Sequence, residues 1–149
     1  MNDTATPRPS LGQALAQASR QIGKLHRRAL ADFNTDFPAW MLLTLLKEKG
    51  TALPVADVVR ELDLRMDQAE PDTLRGLEHA AAAGHIAYLP GGSPATAELT
   101  GTGAAFFAKV YAHARATTDA AFEGIDPDML DTALTVALAA GERATARLG

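Results

Sequence analysis

The chain of 149 residues contains no cysteine. Disulfides, thiolate metal sites and cysteine nucleophiles are therefore excluded. Aromatic residues make up only 5% of it, which together with abundant alanine favours helix over strand. Long apolar runs are also missing. The longest, Trp40 to Leu46, is interrupted by Thr44 and falls far short of the roughly 20 residues that cross a bilayer. Met1 to Ser10 is polar, without the apolar stretch of a secretion signal. No membrane partner is expected, and the cytoplasm is the default location. What is present is a globular balance, 47% hydrophobic and 21% charged. A chain of this length buries about 70% of its unfolded surface, enough for one domain over residues 1–149.

The net charge of −4 supplies no global attraction to nucleic acid or to an anionic membrane. The average hides an asymmetry. Between Thr4 and Ala31 lie five bases (Arg8, Arg20, Lys24, Arg27, Arg28) and no acid. From Arg60 to Leu99 there are three arginines against seven acids, a balance of −4 that equals the charge of the whole chain.

Residues 1–9 read as a flexible tail, and Ser10 as the cap of a first helix. Leu11, Leu15, Ala18, Ile22, Leu25 and Ala29 recur at spacings of four and three, one apolar stripe on a helix ending near Phe33. Pro38 suits the first turn of a second helix over 38–49, closed by Gly50. That helix is apolar nearly all round and should be central. Pro54 opens a short third helix, residues 63–70 read as irregular, and Pro71 fits the first turn of a fourth helix ending at Ala83-Gly84. His85 to Leu89 and Thr96 to Leu99 are extended, and the Pro90-Gly91-Gly92-Ser93-Pro94 turn between them makes a hairpin. Thr100 caps a long fifth helix whose stripe reaches Ile125, and Asp126-Pro127 starts a sixth. The order is α-α-α-α-β-β-α-α, mainly helical. The terminal helices, 10–33 and 100–148, carry stripes too long for the centre at 38–99 to cover, and a homodimer is the simplest way to bury them.

Three short helices followed by a two-stranded wing resemble a winged helix-turn-helix, and the long flanking helices make the chain similar to the MarR family of bacterial transcription regulators. The matching residues are Ala39 to Leu46 (the family's second helix), Leu53 to Leu62 (the start of the helix-turn-helix), Gly84-His85-Ile86, and Leu99-Thr100 with Gly103, a Leu-Thr-x-x-Gly signature. The resemblance implies a DNA-binding regulator, in most such cases a ligand-responsive repressor. The alternative is a member of the fold that has lost ordinary DNA binding and acts as a protein-interaction or ligand-sensing module. The chain departs from the family at the wing, where an arginine is usual and Gly91, Gly92 and Ser93 stand instead.

On that resemblance the expected DNA contacts are Arg65, Thr73, Arg75, His79, Gly92 and Ser93. Family members often hold small anionic aromatics between the dimer helices and the winged domain, which points to His26, Arg27 and Trp40 as candidate ligand residues. Arg20, Lys24, Arg27 and Arg28 share one helical stripe, either a solvated face paired with acids of the last two helices, or a cationic wall of a ligand pocket or a displaced nucleic-acid surface. No two of the four histidines (His26, His79, His85, His113) stand three or four residues apart, so no metal site is expected. The glycines of the wing are turn chemistry and not a phosphate loop, and neither Ser10 nor Ser93 has the context of a nucleophile. No cofactor and no enzymatic activity are expected.

Overall fold

The computed structural model describes residues 7–149. The expected tail thus lies largely outside the described residues, and Pro7 to Pro9 have no regular structure. The helices are α1 (Leu11–Ala31), α2 (Phe37–Lys49), α3 (Val55–Met66), α4 (Glu70–Ala82), α5 (Gly101–Asp119) and α6 (Pro127–Leu148). The strands are β1 (Leu53–Pro54), β2 (Ile86–Leu89) and β3 (Thr96–Leu99). The chain packs as two compact units divided between Thr118 and Asp119, and each is described by itself.

In the first unit, local chemistry sets the helix ends. The Ser10 hydroxyl accepts from the Gln13 amide at 3.2 Å while the Gln13 carboxamide accepts from the Ser10 amide at 3.0 Å, a reciprocal cap for α1. Asp36 Oδ1 accepts from the Ala39 amide at 2.9 Å and starts α2. Gly50, at φ 70°, ends it in the left-handed region that glycine enters without strain. Because α2 is apolar on every side, it lies at the centre. Its Leu42, Leu43, Leu45 and Leu46 pack with Val58 and Leu62 of α3, Leu77 of α4, Ile86 of β2 and Ala97 of β3. A second cluster joins α1, α2 and α5 through Leu30, Trp40 and Val110.

The structure corrects four expectations. A strand β1 precedes α3 and pairs antiparallel with β3, Leu53 opposite Ala97, giving a three-stranded sheet in the order β1-β3-β2. Pro54 therefore closes a strand as well as opening a helix. It has no amide hydrogen to leave unpaired, and the Val55 amide supplies the next bond to the Ala95 carbonyl at 2.9 Å. The irregular stretch expected over 63–70 shrinks to Asp67, Gln68 and Ala69, since α3 runs to Met66 and closes on Asp67 at φ 53°. The first helix ends at Ala31, short of Phe33. The fifth ends at Asp119 and does not continue to Ile125.

The Leu-Thr-x-x-Gly signature has a physical basis here. The Thr100 hydroxyl donates to the Gly84 carbonyl at 2.7 Å and accepts from the Gly103 amide at 3.0 Å, tying the end of α4 to the start of α5. A Cβ on Gly103 would stand 1.9 Å from the His85 carbonyl oxygen. Only glycine permits that approach.

In the second unit, a 3-10 turn at Ala120–Phe122 and Gly124 at φ 80° lead into α6. Asp126 Oδ1 caps it, accepting from the Asp128 amide at 2.8 Å. No residue of α6 is buried, although its sequence carries Met129, Leu134, Val136 and Leu138.

Candidate nucleic-acid interface and crevice

The expected DNA-facing residues fall into three groups. Arg75 and His79 are on the exposed side of α4. The Arg75 guanidinium donates to Asp72, three residues earlier, so a phosphate must compete with an existing partner. Arg65, in the last turn of α3, is held from two sides. Nη2 lies 2.9 Å from Glu48 Oε2 and Nε lies 3.4 Å from Glu61 Oε2. The hydrogen bond to Glu48 and the charges of both carboxylates outweigh partial burial and hold its pKa above the ordinary arginine value. Arg60 pairs with Asp57 at 2.8 Å. Each of the three arginines between Arg60 and Leu99 thus has a carboxylate partner.

Thr73 does not face outward. It is 1% exposed, and its hydroxyl has no hydrogen-bond partner. The expectation that it contacts DNA is corrected: Asp72, Arg75 and His79, spaced by three and four, share the exposed face of α4, while Thr73 and Leu77, four apart, share its buried face. Gly92 and Ser93 are exposed between β2 and β3. The Gly92 amide donates to the Leu89 carbonyl at 3.2 Å. A Cβ on Gly92 would come 2.7 Å from the Pro94 carbonyl oxygen, so this turn admits a side chain at Gly91 or Ser93 more readily.

Of the expected ligand residues, His26 and Trp40 pack together and Arg27 does not join them. Trp40 is buried and stacks on Phe107, ring centroids 4.6 Å apart. His26 packs edge-on to Phe37 and Trp40 at 6.1 and 6.4 Å. Burial, and then the charge of Arg27, lower its pKa from the ordinary value near 6.5. Arg27 is exposed. Among the described residues no ion pair engages Arg8, Arg20, Lys24, Arg27 or Arg28. No group of three metal-ligating side chains occurs among them either.

A cavity of the first unit lies away from these residues. A crevice of about 800 Å³ runs between α4 and the α1–α2 turn, lined by Phe33, Asn34 and Asp36, Leu42 and Leu43, Gln68, Thr73, Arg75, His79, His85 and Phe106. His26, Arg27 and Trp40 do not line it. Sequence reasoning missed this site because its walls come from separate stretches of sequence, 33–43, 62–85 and Phe106. The arginine partners were legible, since Asp57, Glu61 and Asp72 precede Arg60, Arg65 and Arg75 by three or four residues.

The arrangement is a winged helix-turn-helix: α3 and α4 packed on α2, followed by the β2–β3 wing, with long helices before and after. No protein-family model and no curated protein matches the chain in sequence. Its fold is that of the MarR-family regulators. MarR from Escherichia coli in its reduced form superposes with a TM-score of 0.73 at 13% identity, covering 91% of this chain and 98% of that one. A MarR family protein from Bacillus stearothermophilus gives 0.75 at 16%, covering 91% and 93%. BpsR from Bordetella bronchiseptica, whose DNA binding is regulated by 6-hydroxynicotinic acid, gives 0.66 at 18%, covering 91% and 97%. No helix is long and apolar enough to cross a membrane among the described residues.

Proposed function

We propose that this protein is a cytoplasmic DNA-binding transcription regulator that acts as a homodimer and represses in a ligand-responsive manner. The observation that carries the reading is a complete winged helix-turn-helix whose α4 presents Arg75 and His79 outward, on a fold shared with MarR-family regulators. The homodimer is supported by exposed apolar side chains along the outer helices, among them Leu11 and Leu15 of α1 and Leu134 and Leu138 of α6. Burying such side chains in a symmetric pair contributes about 1.5–3 kcal/mol each. The regulation of BpsR by 6-hydroxynicotinic acid supports a small-molecule effector by analogy.

In this reading α4 enters the major groove, and Arg75 is the one permanent cation that each subunit places there. With so few phosphate contacts, affinity at physiological salt is modest and base contacts carry most of the selectivity. Fluorescence anisotropy with labelled DNA from upstream of the protein's own gene tests it. Binding stronger than to mixed-sequence DNA is expected. Absence of binding to either DNA at low salt would instead favour the interaction or ligand-sensing module.

A further inference from the structure

Two stretches of the chain carry opposite charge without diluting it. From Thr4 to Ala31 there are five bases and no acid, and from Asp119 to Asp131 five acids and no base. On α1, Arg20, Lys24, Arg27 and Arg28 are all exposed, and like charges three and four residues apart on a helix repel one another. Asp32, the acid nearest to them in sequence, is turned to His113 Nε2 at 2.8 Å. In the second unit Glu123, Asp126, Asp128 and Asp131 are exposed as well. Asp126 caps α6, and Asp128 lies in the first turn, where a carboxylate complements the helix dipole. Glu123 and Asp131 lie outside that turn and have no such role. Among the described residues no ion pair engages any of these bases or these acids.

Apolar surface accompanies the charge on both sides. Helix α1 exposes Leu11 and Leu15 ahead of its bases, and the acidic stretch exposes Ile125 and Met129 among its acids. A surface that joins uncovered apolar side chains to unpaired charge of one sign fits a partner of similar apolar content and opposite sign. This chain supplies both halves, and a two-fold pair of copies brings each half to the other twice. A nucleic acid would match the charge of α1 and leave its leucines uncovered.

We propose that in the homodimer the basic stripe of α1 docks on the acidic 123–131 segment of the second copy, so that charge sets which faces meet. The inference rests on the homodimer reading above and adds to it the pairing of surfaces and a dependence on salt. Laying α1 on α1, or 123–131 on 123–131, across the two-fold axis would set like charges together. Charges of this kind steer association and exclude wrong pairings more than they add affinity.

Two charge-reversed variants of the full chain test it. One carries Arg20→Glu with Lys24→Glu, the other Glu123→Lys with Asp131→Lys, and the cap Asp126 is left in place. All four side chains are exposed, so each subunit keeps its fold. Alone, each variant opposes like charges at both contacts and should weaken self-association at least about tenfold by sedimentation. Mixed in equal amounts, the two should form a heterodimer within about threefold of the parent's affinity, because both of its contacts again join opposite signs. The parent dimer itself should weaken at least about threefold between about 50 mM and about 500 mM salt. Reversed variants that associate like the parent, a mixture that stays dissociated, or a parent dimer indifferent to salt overturns the inference. A parent that is monomeric throughout removes the homodimer reading and this pairing together. A parent dimer that Leu134→Asp dissociates and the charge reversals leave intact keeps the homodimer and overturns only the pairing.

Discussion

The winged part of the molecule closes on itself, and the last helix does not. Around α2, leucines from three helices are buried, the Leu-Thr-x-x-Gly turn locks α4 to α5, and the arginines between Arg60 and Leu99 each sit beside a carboxylate. Along α6 there is a well-capped helix of 22 residues with no buried residue. The difference is one of patterning. Short helices with apolar residues on several sides find partners within the chain, whereas a long stripe interrupted by few charges needs a surface from elsewhere. Charge follows a related division. Arg60, Arg65 and Arg75 of the winged part each follow an acid by three or four residues, while α1 carries four bases (Arg20, Lys24, Arg27, Arg28) and no acid.

The largest effect should come from breaking the closed part. Gly103→Ala places a Cβ where the His85 carbonyl stands, at 1.9 Å. Backbone on both sides leaves little room to relax, so about 3 kcal/mol or more should be lost. Thermal or urea unfolding measures this, and a variant as stable as the parent would show that α5 does not approach β2 so closely.

Leu134→Asp acts on the open part. Leu134 is 59% exposed, so in a monomer the substitution would change stability by only about 0.5 kcal/mol. In a dimer seam it buries an unpaired carboxylate and should weaken association by at least about tenfold. Sedimentation at several concentrations distinguishes the two, and identical behaviour of variant and parent removes α6 from the interface.

The paired arginines give a sharper contrast. Arg75→Ala should weaken DNA binding by about 1–3 kcal/mol. Asp72→Asn releases the same guanidinium and removes a negative charge near the phosphates. Because exposed ion pairs are worth only about 0.2–1 kcal/mol, it should strengthen binding no more than about fivefold. Opposite signs for the two variants in anisotropy are the expected result. At the wing, Gly91→Arg with Ser93→Arg adds four charges to a dimer and avoids the crowded Cβ position of Gly92. Every phosphate newly neutralised there should steepen the log–log salt slope by about 0.9.

The smallest effect is a pH dependence. The folded state holds His26 neutral more strongly than the unfolded chain does, because burial and Arg27 lower its pKa from 6.5. Its contribution is complete above the unfolded value and is lost as pH falls through it, since the unfolded chain takes up the proton first. The melting temperature should therefore drop between about pH 7.5 and pH 5.5 more in the parent than in His26→Gln. Equal slopes would contradict the burial of that ring.

Much of this architecture was legible in the residues. Pro38 and Gly50 bracket α2, and its unbroken apolar surface announces a central helix. The proline-glycine turn marks the wing. What was not legible depends on distant partners. A two-residue strand ending in proline has no periodicity, and β1 exists because β3 offers it a register at Ala97. Helix α3 outlasts its apolar pattern because Asp67 adopts a left-handed cap that polar residues tolerate. The crevice is assembled from the α1–α2 turn, α2, the end of α3, the length of α4 and Phe106 of α5, so Gln68 reads in sequence only as part of a polar connection. Thr73 reads as a surface residue because it lies between Asp72 and Arg75 in sequence, while the helix turns it inward.

The central claim is that DNA binding, carried by one principal cation per subunit on α4, survives in a winged domain of net negative charge. A salt series of anisotropy titrations with upstream DNA, run on the parent and on Arg75→Ala, tests it most directly. Two arginines per dimer predict a shallow log–log slope of about −1.8, falling toward zero in Arg75→Ala. No binding at low salt, or a slope that Arg75→Ala leaves unchanged, would contradict the account.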